Sequence, residues 1–294
     1  MDATTRLFKD YAYYLKIERG LSPKTVAGYC SDLSLFFGES GLEASAVKSA
    51  DIVDYLSARS ETLSKRSQAR LLSAFRSFFD WMILEGEIKE NPCDRVDAPK
   101  IGRYLPEVLS VEEVDRIIAS VDTSTPGGLR DRAILEVLYG CGLRVSEAVN
   151  LKVSQIHRKE GFLRIVGKGD KERLVPLGEM AAEALEAWFG ARPEPARGCD
   201  DLVFLNFRGG QLSRVSMFNM VKKQAMLAGV RKDISPHTFR HSFATHLVEN
   251  GADLRVVHEM LGHESILTTE IYTHIDSSSW QGSILAHHPR GKEK

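Results

Sequence analysis

Apolar residues recur at helical spacing through roughly the first 88 positions of the chain. In LSPKTVAGYCSDLSLFFGES, Ser22 is placed to cap a helix and Pro23 to occupy its first turn. The apolar stripe of this helix comprises Val26, Tyr29, Leu33, Phe36 and Phe37. A second stripe, in SKRSQARLLSAFRSFFDWMILEG, comprises Leu71, Leu72, Phe75, Phe78, Phe79 and Met82. The two patterns predict an all-helical domain over residues 1–88.

The periodicity disappears between the two halves of the chain. EIKENPCDRVDAPKIGRYLPEVLS contains three prolines and predicts an extended linker over residues 89–108. A helical pattern resumes at Ser110, which forms a capping-box pattern with Glu113. We therefore expect a second domain over residues 109–276 and a C-terminal tail over residues 277–294.

The second half of the chain mixes two periodicities. Helical patterns flank a break at Gly140–Gly142, one of them starting near Val145, and helices dominate again from Ser213 to Ile275. Between them, GFLRIVGKGDKERLVPL alternates β-forming residues around a GKGD turn, which is the pattern of a β-hairpin. The run LVFLNFRGG is a candidate for further strand and turn. The patterns predict a mainly α protein with a small β-sheet in an α+β second domain.

Composition narrows the class of protein but leaves its partner open. The chain has 43% hydrophobic and 27% charged residues, and no apolar run approaches the length of a membrane span. No secretory signal is visible, and the four cysteines are scattered without CxxC spacing, so we expect a cytoplasmic protein with reduced thiols. A net charge of −1 argues against a protein that coats nucleic acid non-specifically. Binding of nucleic acid through a local basic face is still compatible with that net charge.

The segment SPHTFRHSFATHL combines a helix start with a charge in an unusual place. Ser235 can cap the helix, so His237 and Arg240 fall in its opening turn, where free N–H groups favour an anion. Arg240 lies within an apolar stripe that comprises Phe239, Phe243, Ala244 and Leu247. A guanidinium in such a stripe requires an anion. That anion is either a buried carboxylate in a structural ion pair or a bound phosphate or carboxylate, and the sequence leaves both open.

The same segment also allows a metal hypothesis. His237 and His241 have the i,i+4 spacing of an HExxH zinc site, but Thr238 occupies the position of the glutamate. No third ligand follows at the expected spacing, and His246 points away from His237 on the helix. A metal-dependent hydrolase is therefore the weaker alternative.

Other reactive or charged groups lie in places that also have ordinary explanations. Arg144 follows the glycines of GCGLRVSE and opens a helix, where its charge opposes the helix dipole. Lys168 lies in the GKGD turn, as many exposed lysines do. His263 follows Gly262 at a helix end, where histidines commonly bind backbone carbonyls. Tyr272 is off the centre of its apolar stripe, so its hydroxyl need not be buried, although such a tyrosine usually serves packing.

An ordered set of residues matches the pattern of the tyrosine recombinases, the phage integrase-like family: Arg144, Lys168, His237, Arg240, His263 and Tyr272. HTFRHSFATHL and LGHESILTTEIYTH are both nearly intact versions of the family's motifs. The resemblance covers essentially the whole chain, and the two-domain plan and the terminal HHPR are most similar to the bacterial Xer branch. It implies a SAM-like, core-binding helical N-terminal domain and an α+β catalytic domain that together form a C-shaped clamp on DNA.

The resemblance also implies a role for each residue. Tyr272 would attack the scissile phosphate, giving a 3′-phosphotyrosyl link and a free 5′-hydroxyl. Arg144 and Arg240 would bind the non-bridging oxygens, and Lys168 would protonate the leaving 5′-oxygen. The two histidines of the set would contact the phosphate and assist proton transfer. The bond energy stays in the phosphotyrosine, so the resemblance implies neither a metal nor ATP, and no cofactor.

Similarity to the Xer branch further implies its partners. These are double-stranded DNA with a dif-like site, a second recombinase in a heterotetramer and an FtsK-like translocase, acting to resolve chromosome dimers at cell division. The C-terminal tail would dock on a neighbouring protomer, and no membrane insertion is expected. In the N-terminal domain, Lys65, Arg66 and Arg70 are candidates for contacts with DNA phosphates, or else a solvated helix face. The alternatives are a phage or mobile-element integrase, a type IB topoisomerase and a DNA-binding module without catalysis.

Overall fold

The computed structural model describes residues 3–99, 107–167, 172–262, 282 and 284–290. The chain divides into two units, Met1–Tyr104 and Leu105–Lys294, and the division falls inside the segment predicted as a linker. Among the described residues, no helix is long and apolar enough to cross a membrane.

The described residues of the first unit form helices α1 (Ala3–Tyr13), α2 (Pro23–Ser40), α3 (Ser49–Ala58) and α4 (Lys65–Leu84), and one wider turn, Tyr14–Glu18, extends α1. Local capping determines where two of them begin. Ser22 accepts a hydrogen bond from the amide of Thr25 at 3.2 Å, and Ser64 accepts one from the amide of Ser67 at 3.1 Å. α2 ends at Gly41, whose φ of 65° is the left-handed conformation that glycine adopts at helix ends.

The predicted apolar stripes of α2 and α4 meet in an aromatic core. The ring centroids of Phe36 and Phe75 are 4.9 Å apart, and those of Tyr11 and Phe78 are 5.1 Å apart in an edge-on arrangement. Aromatic pairs in tilted or edge-on geometry add to the stabilisation that burial provides. The helical character predicted for this part of the chain is confirmed.

The second unit combines helices with a small antiparallel sheet. Over its described residues, the helices are α5 (Val111–Ala119), α6 (Pro126–Gly140), α7 (Val145–Val149), α8 (Glu179–Ala191), α9 (Arg214–Leu227), α10 (Pro236–Glu249) and α11 (Leu254–Met260). The strands are β1 (Ile156–His157), β2 (Phe162–Val166) and β3 (Glu172–Pro176), in the order β1-β2-β3. Leu163 lies opposite Val175 in the β2–β3 pair, which is the predicted hairpin. The mainly α fold with a small sheet is confirmed.

The run LVFLNFRGG forms isolated bridges at Leu202 and Leu205 and a turn, where the sequence offered a candidate strand. Leu205 pairs with Gln211 in an isolated bridge. Between them, the side chain of Asn206 accepts hydrogen bonds from the amides of Arg208 at 2.9 Å and Gly210 at 3.1 Å. These local bonds close the turn directly after the bridge, so the backbone has no room for a longer pairing.

Helices α6 and α10 lie in the core of the second unit and fix the loop that precedes α7. Phe239 and Phe243 of α10 are buried, as are all residues of α6 from Ala133 to Tyr139. Gly142 has a φ of 58°, and a Cβ atom there would lie 2.5 Å from the ring of Phe243. Only glycine therefore fits this position without displacing Phe243. The contact fixes the backbone of the loop that leads to Arg144.

Gly142→Ala is expected to lower the free energy of unfolding by about 2 to 4 kcal/mol, because the new methyl group meets Phe243 in a left-handed backbone. Gly229→Ala is the matched control, since Gly229 has a φ of 70° and no atom within 4 Å of the added Cβ. The control should lose only about 1 kcal/mol. Urea denaturation of the full chain measures both, and equal losses would show that the contact with Phe243 is unimportant.

Part of the predicted C-terminal tail packs against its own unit. Ile284 and His288 are buried, and the His288 ring lies 5.0 Å from the ring of Tyr139. Arg290 approaches the buried carboxylate of Glu136 at 3.2 Å. Burial lowers the pKa of His288 to about 4, so this ring is neutral at physiological pH. Docking of the tail on a neighbouring protomer stays a prediction.

Candidate active site

Arg144 lies at the N-cap of α7, directly after the Gly142 loop. Its backbone amide donates to Oε2 of Glu147 at 2.8 Å, and its Nη1 donates to Oε1 at 2.9 Å. Its Nη2 donates to the carbonyl of Gly262 at 3.1 Å. About a third of the side chain is exposed, at 32%. Glu147 thus offsets the unfavourable position of a cation at a helix start, and the guanidinium stays accessible to a ligand.

Arg240 is buried in α10, as its position in the apolar stripe predicted. Its Nη1 donates to the carbonyl of Gly142 at 2.6 Å, and its Nη2 donates to the carbonyl of Leu261. The carboxylate of Glu147 is 3.8 Å from Nη1, which is an ion-pair distance without a hydrogen bond. Burial, followed by the charge of Arg144, lowers the pKa of Arg240 to about 9 although Glu147 opposes the shift. Arg240 is still a cation at neutral pH, and its charge is poorly compensated.

Two further residues, Glu147 and Arg173, complete this cluster, and neither was predicted from the sequence. Glu147 accepts a bidentate pair of hydrogen bonds from Arg173, with both N–O distances at 2.8 Å. Burial alone would raise the pKa of Glu147, but the hydrogen bonds and charge of Arg173, helped by Arg144, outweigh burial and hold the pKa below its ordinary value. We refer to Arg144, Glu147, Arg173 and Arg240 as the arginine cluster.

The end of α11 supplies the backbone side of the arginine cluster. Three successive carbonyls there each accept a hydrogen bond from a different guanidinium: Met260 from Arg173, Leu261 from Arg240, and Gly262 from Arg144. Carbonyls at a helix C-terminus lack partners within the helix and carry partial negative charge, so they favour cations. The end of α11 thereby joins β3, α10 and the start of α7, which are distant from one another in the sequence.

The histidines of α10 separate into two kinds. His237 and His241 are exposed, whereas His246 is buried and its Nδ1 lies 2.8 Å from the hydroxyl of Tyr139. Burial lowers the pKa of His246, so its ring serves packing and hydrogen bonding in the core. The described residues contain no group of three histidine, cysteine, aspartate or glutamate side chains that could hold a metal ion.

The structure describes only three of the six predicted catalytic residues, Arg144, His237 and Arg240. Lys168, His263 and Tyr272 lie outside the residues that the structure describes. His237 and Arg240 share α10, and the cluster brings Arg144 and Arg240 to the same carboxylate.

The three candidate DNA-binding cations of the first unit all lie on α4 and are exposed. Arg70 is already paired with Asp32, with its Nη2 3.0 Å from Oδ1. A phosphate would have to compete with this carboxylate for Arg70. Lys65 and Arg66, at the start of the helix, therefore stay the stronger candidates for phosphate contacts.

The arginine cluster has the chemistry of an oxyanion site. Three guanidinium groups surround a single carboxylate among the described side chains, so the cluster carries an excess of positive charge. A phosphodiester has one negative charge and gains more at a pentavalent phosphorus, and fixed guanidinium donors stabilise that increase. The arrangement suits phosphoryl transfer.

Comparisons with known proteins agree with this chemistry. Residues 107–279 match the model of the phage integrase family, and residues 8–86 match that of the phage integrase N-terminal SAM-like domain. The tyrosine recombinase XerD of Listeria monocytogenes serotype 4b is 43% identical over 97% of this chain and 99% of its own. XerD of Pseudomonas putida is 44% identical over 94% of this chain and 95% of its own. A crystal structure of the XerH site-specific recombinase bound to difH substrate, in a pre-cleavage complex, has a TM-score of 0.65 and 26% identity, covering 88% of this chain and 78% of XerH.

Fold, site and relatives together define the class of the protein, which is a site-specific DNA recombinase. The cluster explains why such an enzyme needs buried arginines, since its reacting group is a phosphate. The chain belongs to the phage integrase family, and within it to the tyrosine recombinases.

Proposed function

We propose that this recombinase breaks and rejoins DNA through a covalent 3′-phosphotyrosyl intermediate formed by Tyr272. The tyrosine oxygen bonds to phosphorus, the bond to the 5′-oxygen breaks, and the downstream strand leaves with a 5′-hydroxyl. A 5′-hydroxyl from a second duplex then attacks the phosphotyrosine, which releases the tyrosine and joins the exchanged strands. The observation that supports this most directly is the uncompensated positive charge of the arginine cluster.

The other site residues would each have a separate role in the cleavage step. Arg144 and Arg240 would bind the non-bridging oxygens, because Arg144 is about a third exposed and Arg240 has no hydrogen bond to the carboxylate of the cluster. Lys168 would donate a proton to the leaving 5′-oxygen, and His237 and His263 would assist proton transfer at the phosphate. No residue in this scheme requires a metal ion or a nucleotide cofactor.

We further propose that the target is a dif-like chromosomal site in the cytoplasm. A second Xer recombinase would share the heterotetramer, and an FtsK-like translocase would activate it to resolve chromosome dimers before division. Support comes from XerD relatives that match 94% and 97% of this chain, and from the XerH structure, in which that recombinase is bound to difH. A mobile-element integrase with the same chemistry would instead act at the ends of its element, so mapping the recombined DNA in cells separates the two functions.

The packing of residues 284–290 suggests how protomers would communicate in that assembly. Glu136 is fully buried, and neither carboxylate oxygen has a hydrogen-bond donor, so the arginine that faces it matters for its burial. The Arg290 of a neighbouring protomer could replace the chain's own Arg290 at this position. Exchange of tails would then join active sites in the heterotetramer.

The proposed chemistry predicts that a nicked duplex with the target site is trapped on the protein in excess EDTA. The nick lets the short downstream fragment diffuse away, so the covalent adduct accumulates. A label on the 5′ end of the upstream strand should migrate with the protein on a denaturing gel. Loss of the adduct in EDTA, or a label trapped only from the downstream strand, would contradict the proposal.

A further inference from the structure

Arg173 is a buried cation that the proposed chemistry does not use. It lies on β3, where the alternation of burial points it to the same face as the buried Val175. Its side chain is 5% exposed, compared with 9% for Arg240 and 32% for Arg144, so burial alone does not separate Arg173 from Arg240. Three of its donor bonds are already made, two to Glu147 and one to the carbonyl of Met260 at 2.6 Å. Both terminal nitrogens of Arg173 are bound to a carboxylate, whereas those of Arg240 donate to neutral carbonyls, so Arg240 is the cation whose charge a phosphate can still neutralise.

The carboxylate of Glu147 is saturated by its partners. Oε1 accepts from Nη1 of Arg144 and Nη1 of Arg173, and Oε2 accepts from the amide of Arg144 and Nη2 of Arg173. A carboxylate has about four lone-pair sites, so these bonds fill it. Arg240 is left at 3.8 Å without a hydrogen bond to this carboxylate.

Removal of Arg173 would change which cation the carboxylate binds. Two acceptor positions on Glu147 would open, and Arg240 is within ion-pair distance of Oε2. A buried, partly unpaired carboxylate has a strong preference for the nearest guanidinium. Arg240 would move into that pair and its charge would no longer be free for a phosphate.

We propose that Arg173 is a positioning residue that occupies Glu147 and thereby keeps Arg240 available for the scissile phosphate. Arg173 touches neither substrate nor reacting atoms, and it acts through the carboxylate that it binds. This inference rests on the proposed function, in which Arg240 binds the phosphate. It predicts that the damage caused by losing Arg173 is partly repaired by removing the charge of Glu147.

The test measures adduct formation under single-turnover conditions, with protein in saturating excess over the nicked duplex. Arg173→Met should slow adduct formation by about 10²-fold with little change in duplex affinity, because Arg240 is displaced but the DNA surface is intact. Arg173→Lys, which offers one point charge to Glu147, should be intermediate. The double variant Arg173→Met/Glu147→Gln should be faster than Arg173→Met by roughly tenfold, since the glutamine cannot capture Arg240 by charge.

Arg158→Met is the matched control, because Arg158 forms an exposed ion pair with Glu186 in the same unit. It should keep the wild-type rate. Thermal unfolding reports whether each variant is folded, and if Arg173→Met is not, Arg173→Lys is compared with Arg173→Lys/Glu147→Gln instead. A double variant no faster than the Arg173 variant that it contains would overturn the inference alone. Absence of the adduct in the wild type would overturn the proposed function, and the inference with it.

Discussion

Tyr272→Phe is expected to abolish the covalent protein–DNA adduct completely while duplex binding is retained. The substitution removes only the hydroxyl oxygen that would bond to phosphorus, and a phenylalanine ring has no atom that can act as the nucleophile. The arginine cluster remains intact, so the variant should still hold the phosphate. Denaturing gels of the nicked duplex in EDTA measure the adduct, and gel-shift titration measures binding.

Tyr13→Phe is the appropriate control, because Tyr13 is a tyrosine of the first unit with 62% of its surface exposed. It should form the adduct at the wild-type rate. An adduct that persists in Tyr272→Phe would mean that another side chain is the nucleophile. Loss of duplex binding in the same variant would mean that the tyrosine is needed for the complex and would leave the assignment of the nucleophile unsupported.

Helix starts could be predicted from the sequence because capping is a local interaction. Ser22, Ser110 and Ser235 each precede a helix at the predicted position. The capping box of Ser110 and Glu113 forms with distances of 2.8 and 3.2 Å. The information that determines these positions lies within four residues of each serine, so it can be read without the tertiary structure.

The β2–β3 hairpin was predictable for a similar reason, but the rest of the sheet was not. Alternation over five residues on each side of the GKGD turn gives a clear period of two. β1 has two residues, Ile156 and His157, and such a short run has no period to detect. β1 is recognised as a strand only by its antiparallel pairing with β2, in which Ile156 lies opposite Leu163 and His157 opposite Phe162.

The partners of the arginine cluster could not be predicted from local pattern. Arg173 and Glu147 are 26 positions apart in the sequence, and the carbonyl that Arg173 binds is 87 positions away. One signal was present nonetheless: Arg173 occupies an inward-facing position of a predicted strand, where a charge needs a buried partner. Arg240 is recognisable in its helix on the same ground, and Arg173 is equally recognisable in the hairpin.

The structure also changes the choice that the sequence left open for Arg240. A buried carboxylate is indeed close to this guanidinium, as the structural alternative required. That carboxylate is fully engaged by Arg144 and Arg173, so it compensates Arg240 only in part. The structural alternative therefore holds only in part, and a phosphate clamp at Arg240 stays a prediction that the remaining charge is compatible with.

Arg240→Lys is expected to slow adduct formation by about 10³-fold at saturating protein while duplex affinity changes far less, because a lysine cannot reproduce the bidentate fork. The setting that lowers the pKa of Arg240 to about 9 would lower the pKa of a lysine from an already lower starting value. A larger share of the lysine would be neutral at pH 8 than at pH 6. The variant should therefore lose more activity, relative to wild type, as the pH rises through this range.

Arg158→Lys controls for the loss of a guanidinium at an exposed position, and it should match the wild type at every pH. Equal losses of affinity and rate in Arg240→Lys would show that Arg240 only positions the duplex. A pH-independent defect would show that the ammonium stays charged, and that geometry alone separates the two cations. The expected combination, a large defect in rate that grows with pH at nearly constant affinity, requires a buried cation whose charge acts on the reacting phosphate.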